Sequence, residues 1–359
     1  MTEKKHTNFK TRLLTKSTHD HQMVTEFWDF IFKGPYRTAR DPEYSWQFFN
    51  PISTHTPSIS VYTNEEHIEA CLGFIPVQLK INQTLQQACF LSHWFAKPNG
   101  MTGSGAKPFL HIHSMFENIL VNGYSKDTES IVKKIGYHTI EDLGRVLYIN
   151  NKELFHQTFH TKPQVNTVSL VEKEPFIVKN YDKQLLTSWN RFSEHISFGT
   201  HRDEVYLNWR YFHHPSLDYI VISVASKYTG YAVIRVEDVL NSSLKILRVL
   251  DFITPETKEE TKTLLECICC YANKHNVLFT DFFCSHDETL DTLEKYGWIK
   301  AYGKSAFKPP RLFQPMPHEN ASPIQCAFSL KDSIDHNDIK KAYITKSDGD
   351  QDRLAGLLS

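Results

Sequence analysis

The chain carries one structural plan twice. Residues 46–51 read WQFFNP and residues 209–215 read WRYFHHP, and each block is followed by an apolar, strand-like run: ISVY at 59–62 and YIVISVA at 219–225. A second apolar run comes next in each half (CLGFIPVQLKI, 71–81; TGYAVIRVED, 229–238), then a third that ends in proline (ACFLSHWFAKP, 88–98; LKILRVLDFITP, 244–255). After a helix-like stretch, a further apolar run and a polar helix, both halves reach a glycine–aromatic step, KKIGY at 133–137 and EKYGW at 294–298. About 90 residues separate Trp46 from Gly136, and about 88 separate Trp209 from Gly297. Landmarks in one order at one spacing mark a single supersecondary unit used twice.

The unit reads helix, three strands, helix, strand, helix, strand. Consecutive antiparallel strands followed by a strand–helix–strand crossover predict an α+β architecture, with a mixed, mainly antiparallel sheet flanked by helices in each half. The polar stretch around 150–190 carries two prolines and places the junction. The expected division is a first unit at 1–160, a linker at 161–190 and a second unit at 191–359. A proline-rich run, SAFKPPRLFQPMP (305–317), connects to a last strand-like AYIT (342–345) and a polar tail.

A length of 359 residues suits two domains. The formal net charge of -1 argues against a general nucleic-acid or anionic-membrane binder. There is no apolar run of about 18 residues, so no membrane insertion is expected. The N-terminus MTEKKHTNFK lacks the apolar core of an export signal. The seven irregularly spaced cysteines then read as reduced thiols of a cytoplasmic protein.

The sharpest chemical signal is Asn99-Gly100-Met101-Thr102-Gly103-Ser104-Gly105-Ala106, a turn between a strand and a helix. Gly103 and Gly105 let a phosphate approach the backbone, and the first helical turn presents unpaired N–H groups and the positive end of its dipole. Pro108 falls where its missing N–H costs nothing. Lys97 and Lys107 add attraction for an anion.

This arrangement resembles the Gcn5-related N-acetyltransferase (GNAT) superfamily. There, a third strand feeds a [Gln/Arg]-x-x-Gly-x-[Gly/Ala] loop whose amides bind the pyrophosphate of acyl-CoA. A later helix ends in a glycine–aromatic step. Gly103 and Gly105 match the loop glycines; Gly100 stands at the Gln/Arg position. The resemblance implies that acetyl-CoA or another acyl-CoA is held by Phe95, Ala96, Met101, Thr102, Gly103, Ser104, Gly105 and Ala106. The family's usual acid, a tyrosine four residues before the glycine–aromatic step, is replaced by Val132 and Leu293. The second half has Thr254-Pro255-Glu256-Thr257-Lys258-Glu259-Glu260 in place of the glycine turn. Acidic residues there would repel a pyrophosphate, so the second half is expected to shape the acceptor side.

The candidate proton-handling residues are His93 and Asp251 on the two third strands, and Tyr124 and Ser125 after the next strand of the first half. His93 titrates near neutrality, and an unpaired carboxylate at Asp251 would be costly. His111/His113, His156/His160 and Cys267-x-x-Cys270 lack further ligands at metal-binding spacing, so no metal is expected. The tail Ser347-Asp348-Gly349-Asp350-Gln351-Asp352-Arg353 has a calcium-loop look but no closing glutamate. It is similar to an ending in twin-GNAT proteins associated with bacterial surface-polysaccharide clusters, as are the two Trp blocks. The implied activity is transfer of a short acyl group to an amine or hydroxyl of a small-molecule or glycan acceptor, such as an amino sugar. Other expectations are a Fem-like aminoacyl transferase, which would want a basic groove, or a non-catalytic binding protein. N-myristoyltransferase, another twin-GNAT relative, has an apolar terminus that the ending LAGLLS does not match.

Overall fold

The structure is a computed structural model and describes residues 8–64, 66–160, 168, 170–224, 229–239, 242–305, 307–310 and 323–353. Most of the proline-rich run 305–317 and the ending LAGLLS (354–359) lie outside the described residues.

In chain order the first half contributes β1 (Lys10–Leu13), α1 (Thr18–Phe32), α2 (Glu43–Phe48), β2 (Ile59–Thr63), β3 (Ile68–Ile81), β4 (Thr84–Ala96), α3 (Ala106–His113), β5 (Ile119–Asn122), α4 (Lys126–Lys134), β6 (His138–Ile140), β7 (Gly144–Ile149) and α5 (Lys152–Phe159). There follow β8 (Phe176–Val178), α6 (Lys183–Phe192), β9 (Phe198–Thr200), α7 (Glu204–Leu207), β10 (Ile220–Ser223), β11 (Tyr231–Asp238), β12 (Lys245–Ile253), α8 (Lys258–Lys274), β13 (Phe279–Cys284), α9 (Asp287–Lys295), β14 (Ile299–Lys300), β15 (Cys326–Ser329) and α10 (His336–Lys340). Local chemistry sets several of these boundaries. Ser17 caps α1 by accepting the amide of Asp20, and Thr257 with Glu260 forms a reciprocal capping box on α8.

The strands form two mixed, mainly antiparallel sheets. The first has the order β1-β2-β3-β4-β5-β15-β6, with β9 also pairing β3; the second runs β14-β7-β13-β12-β11-β10-β8. Three strands cross between the halves of the chain, β9 onto β3 among them. β7 pairs with β13 and β14, and β15 slots between β5 and β6. Each sheet therefore contains a strand from the other half of the sequence. One continuous buried cluster runs from Ile75 and Phe90 in the first sheet to Val249 and Phe282 in the second. The two tryptophan blocks meet face to face. Trp46 and Trp209 stack at 5.1 Å, and each indole N–H donates to the other's carbonyl at 2.9 Å.

In each sheet one strand pair is parallel, as a strand–helix–strand crossover requires: β4 with β5, and β12 with β13. Both pairs are short. β4 and β5 pair only at Cys89–Leu91 with Ile119–Val121, although β4 continues to Ala96. A bulge explains the divergence. Cys71 pairs with Phe95 and Gly73 with Ser92, so β4 carries one residue more than β3 across this step, and His93 takes a φ of 52°. In the second sheet, β12 and β13 pair at Leu247–Val249 with Thr280–Phe282, and β12 bulges between Val249 and Asp251.

Candidate active site in the first split

A cavity of about 210 Å³ lies where β4 and β5 separate. Its walls are Leu91–Phe95 on β4 and Val121–Ser125 at the end of β5, with Phe32 and Tyr36 on one side. The C-terminal tail closes it with Asp350, Gln351 and Arg353. Three of the four proton-handling residues expected from sequence, His93, Tyr124 and Ser125, thus face one space. The fourth, Asp251, lies in the other sheet.

His93 sits on the bulge among Trp28, Tyr36 and Phe48. Tyr36 Oη lies 3.0 Å from its Nε2, and the Gln47 amide nitrogen lies 3.3 Å from Nδ1. Asp350 Oδ2 lies 3.7 Å from Nδ1. Burial drives the His93 pKa down to about 4, against the opposing pull of Asp350. The ring is neutral at pH 7 and has a lone pair to offer.

Tyr124 brings a hydroxyl that is buried and has no hydrogen-bond partner among the described residues. Its pKa is raised, chiefly by burial, so the phenol keeps its proton. Ser125 caps α4, its hydroxyl accepting the amide of Thr128 at 3.3 Å.

The glycine turn follows directly from β4. Phe95 lines the cavity and packs edge-on to Phe32, and the Trp94 indole N–H donates to Gly105 O at 2.8 Å. Gly103 has a φ of +78°, and a side chain added there would meet nothing within 4 Å, so the turn is open. Met101, Thr102 and Gly103 are exposed, and Ser104 is buried. Within the turn Ser104 donates to Met101 O and Ala106 to Gly103 O. The amides of Thr102, Gly103 and Gly105 make none of these bonds. Gly100 now has a physical reason. A Cβ there would lie 2.1 Å from Glu69 Oε1, the atom that accepts the Met101 amide at 2.8 Å. Glu69 braces the turn at Gly100 and Met101.

Asp251 is fully buried and fully engaged. Arg202 Nε donates to it at 2.9 Å, Tyr343 Oη at 2.7 Å and Tyr211 Oη at 3.2 Å. Arg202 also pairs with Asp348 at 3.0 Å. These contacts hold the C-terminal segment in the split between β12 and β13. Ser285 donates its amide to Ile344 O at 2.9 Å, the Tyr343 hydroxyl accepts the Phe252 amide, and Ser347 Oγ donates to Leu250 O. The tail then crosses to the first sheet. Asn122 Nδ2 donates to Asp348 O at 2.8 Å, and Gln351 Nε2 donates to Asn122 O at 2.8 Å. Gly123, at φ +74°, leaves the room that Gln351 fills; a Cβ there would come within 2.2 Å of the Gln351 amide. Asp352 anchors the end of the segment by accepting from Arg235 and Tyr219, each at 2.7 Å.

A larger cavity of about 720 Å³ lies outside the filled split, between α6, α8 and α9. It has no glycine turn, and the first turn of α8 is capped by its own Thr257 and Glu260. Glu256 is paired with Arg191 at 2.9 Å.

His111 Nδ1 is hydrogen-bonded to Ser60 Oγ and His113 Nε2 to the Tyr137 hydroxyl. Cys267 and Cys270 are buried on α8. No group of three or more candidate metal ligands occurs among the described residues. No helix among them is long and apolar enough to cross a membrane.

Sequence reasoning missed Tyr36, Asp350, Gln351 and Arg353. The tail motif was visible as an unusual acidic run, but nothing local said that it folds back onto β4.

No family model matches the sequence, and no curated protein sequence does either. Solved structures do match the fold. Saccharomyces cerevisiae N-myristoyltransferase with bound myristoyl-CoA aligns at TM-score 0.53 and 11% identity, over 89% of this chain and 82% of that one. A conserved Enterococcus faecalis V583 protein of unknown function, described as a probable N-acyltransferase, aligns at 0.52 and 12%, over 89% and 72%. A GCN5-related N-acetyltransferase from Anabaena variabilis ATCC 29413 aligns at 0.52 and 13%, also over 89% and 72%. The chain has the fold of GNAT-related acyltransferases.

Proposed function

We propose that the protein is an acyltransferase that takes a short acyl group from acyl-CoA, held on the first half of the chain, and passes it to an amine or hydroxyl. An amino sugar of a surface-glycan precursor is the acceptor class we favour. The observation that carries this reading is the open split between β4 and β5. It lies next to an exposed glycine turn at a helix start, and its cavity is lined by Tyr124, whose buried hydroxyl has no partner among the described residues.

The residues divide the work. Amides of Thr102, Gly103 and Gly105, with the start of α3, suit a pyrophosphate. Phe95 and Ala96 at the end of β4 would line the path toward the cavity. Tyr124, protonated and without a partner among the described residues, suits hydrogen bonding to the departing sulfur. His93, neutral and next to Asp350, suits reception of the acceptor's proton. The cavity of about 210 Å³ is smaller than the roughly 300–1,000 Å³ typical of drug-sized ligand sites, which favours a short acyl group. Positioning of the two reactants supplies much of the rate in such a transfer. Asp251, paired with Arg202, serves the tail in this reading and does not touch the reactants.

Titration calorimetry with acetyl-CoA tests the donor assignment. Binding by the wild-type protein and its loss in Gly103→Trp are expected. Equal affinity of the two proteins would refute the reading.

A further inference from the structure

Three polar groups from distant parts of the chain stand in line at the cavity. Tyr36 Oη is 3.0 Å from His93 Nε2, and Asp350 Oδ2 is 3.7 Å from His93 Nδ1. All three residues line the same space. Each is fixed from elsewhere. The Tyr36 ring stacks on Phe32 at 3.8 Å, and its amide donates to Asp29 at 2.8 Å. His93 rides on the β4 bulge. Asp350 stands between two anchors of the tail, Asp348 on Arg202 and Asp352 on Arg235.

A neutral imidazole carries one proton, and the group beside one nitrogen decides what the other can do. With Nδ1 protonated, the form that the Asp350 charge favours from 3.7 Å, beyond hydrogen-bond distance, Nε2 accepts from the Tyr36 hydroxyl. Gln47 fits this state. Its amide lies 3.3 Å from Nδ1 and 3.2 Å from Ser92 Oγ, and a half-turn presents its oxygen to both as acceptor. The opposite tautomer would leave the carboxylate facing a lone pair.

We infer that Tyr36, His93 and Asp350 form a proton relay, in which the Tyr36 hydroxyl meets the acceptor, His93 stores the proton and Asp350 fixes the tautomer. The inference rests on the acyl-transfer reading and names the groups that carry it out. As the acceptor nitrogen or oxygen bonds to the acyl carbon, its proton passes to Tyr36 Oη, and the Tyr36 proton passes to His93 Nε2. The carbon–sulfur bond breaks, Tyr124 hydrogen-bonds to the thiolate, and the stored proton ends on the CoA thiol. The titratable groups facing the relay are Tyr36, Cys71 on β3, whose Sγ donates to His93 O, and Asp350 and Arg353 on the tail. Arg353 bonds Asp350 at 3.1 Å and lies near Tyr36, where it steadies negative charge on the phenol oxygen during transfer.

The test uses the full chain labelled with 15N-histidine, the His93 signal being identified by its loss in His93→Gln. At pH 7 the wild type is expected to show the Nδ1–H tautomer. Asp350→Ala is expected to shift it toward Nε2–H, and Asp350→Glu to restore it. Tyr36→Phe is expected to move the Nε2 resonance and to lower slow hydrolysis of acetyl-CoA, read as thiol release, by roughly 100-fold with acetyl-CoA affinity unchanged. An Nε2–H tautomer in the wild type, or one that Asp350→Ala leaves unchanged, would overturn the relay. If Asp350→Ala does not fold, the wild-type tautomer and Tyr36→Phe decide. Failure of the wild type to bind acetyl-CoA would overturn the donor reading instead, since the tautomer is measured without ligand.

Discussion

In the first sheet β4 and β5 part after Leu91 and Val121 and leave a cavity; in the second, β12 and β13 part after Val249 and Phe282, and the chain's own residues 342–348 fill the gap. The same device, a bulge in the longer strand, opens both splits. What differs is the side chain at the bulge and what the rest of the chain supplies. His93 is left beside a cavity, while Asp251 is matched by Arg202 and two tyrosine hydroxyls and becomes an anchor. The segment that fills the second split continues into Asp350, Gln351 and Arg353, which line the cavity of the first.

The largest expected effect comes from breaking the filled split. Arg202→Leu strands Asp251 and Asp348 in a dry interior, and removing one partner of a buried pair costs about 3–5 kcal/mol. Chemical denaturation should show a loss of that size. A loss near zero would mean that the tail is held by other contacts.

Acid should act on the same region. Asp352 is held below the usual carboxylate range despite burial by Arg235, Lys346 and Arg210, Asp281 by Arg248 and Arg145, and Glu237 by Arg248 and Arg235. A depressed folded-state pKa gives stability that is present above the unfolded pKa, about 4, and is lost as pH falls through the folded value. Asp251, raised by burial, works in the opposite sense. Thermal melts should therefore fall steeply below about pH 4, with a shallower dependence in Asp352→Asn.

Smaller effects separate the two halves. Gly103→Trp covers the turn's amides and should weaken acetyl-CoA by at least roughly tenfold, about 1.4 kcal/mol; a side chain at φ +78° should also cost about 1–2 kcal/mol of stability. Thr257→Ala removes one side of the capping box on α8 and should cost about 1 kcal/mol of stability while leaving acetyl-CoA affinity unchanged. If these two outcomes were reversed, the second half would be the donor side.

Much of this was legible in the sequence because it is local. The repeat, the strand runs and the turn at 99–106 each leave a pattern within a few residues. Val132 and Leu293, read as absent acids, are indeed buried apolar residues. The exchange of β7 and β15 was not legible, since a strand's own alternation does not say which sheet receives it. Nor was the tail's return. Lys346, Ser347 and Asp348 look like a solvated end, yet each is nearly fully buried, because Arg202 pairs with Asp348 and the charges of Glu237, Arg248 and Asp281 surround Lys346 only in three dimensions. Asp251, an acidic residue in an apolar strand, had to be paired or functional, and only the coordinates supplied Arg202.

Crystallography of the protein with a non-hydrolysable acetyl-CoA analogue would decide between the two splits. We expect the diphosphate at the Thr102–Ala106 turn and the acyl group between β4 and β5, within reach of His93 and Tyr124, with residues 342–348 still seated between β12 and β13. An analogue bound instead in the larger cavity between α6, α8 and α9, with the first split empty, would contradict the assignment.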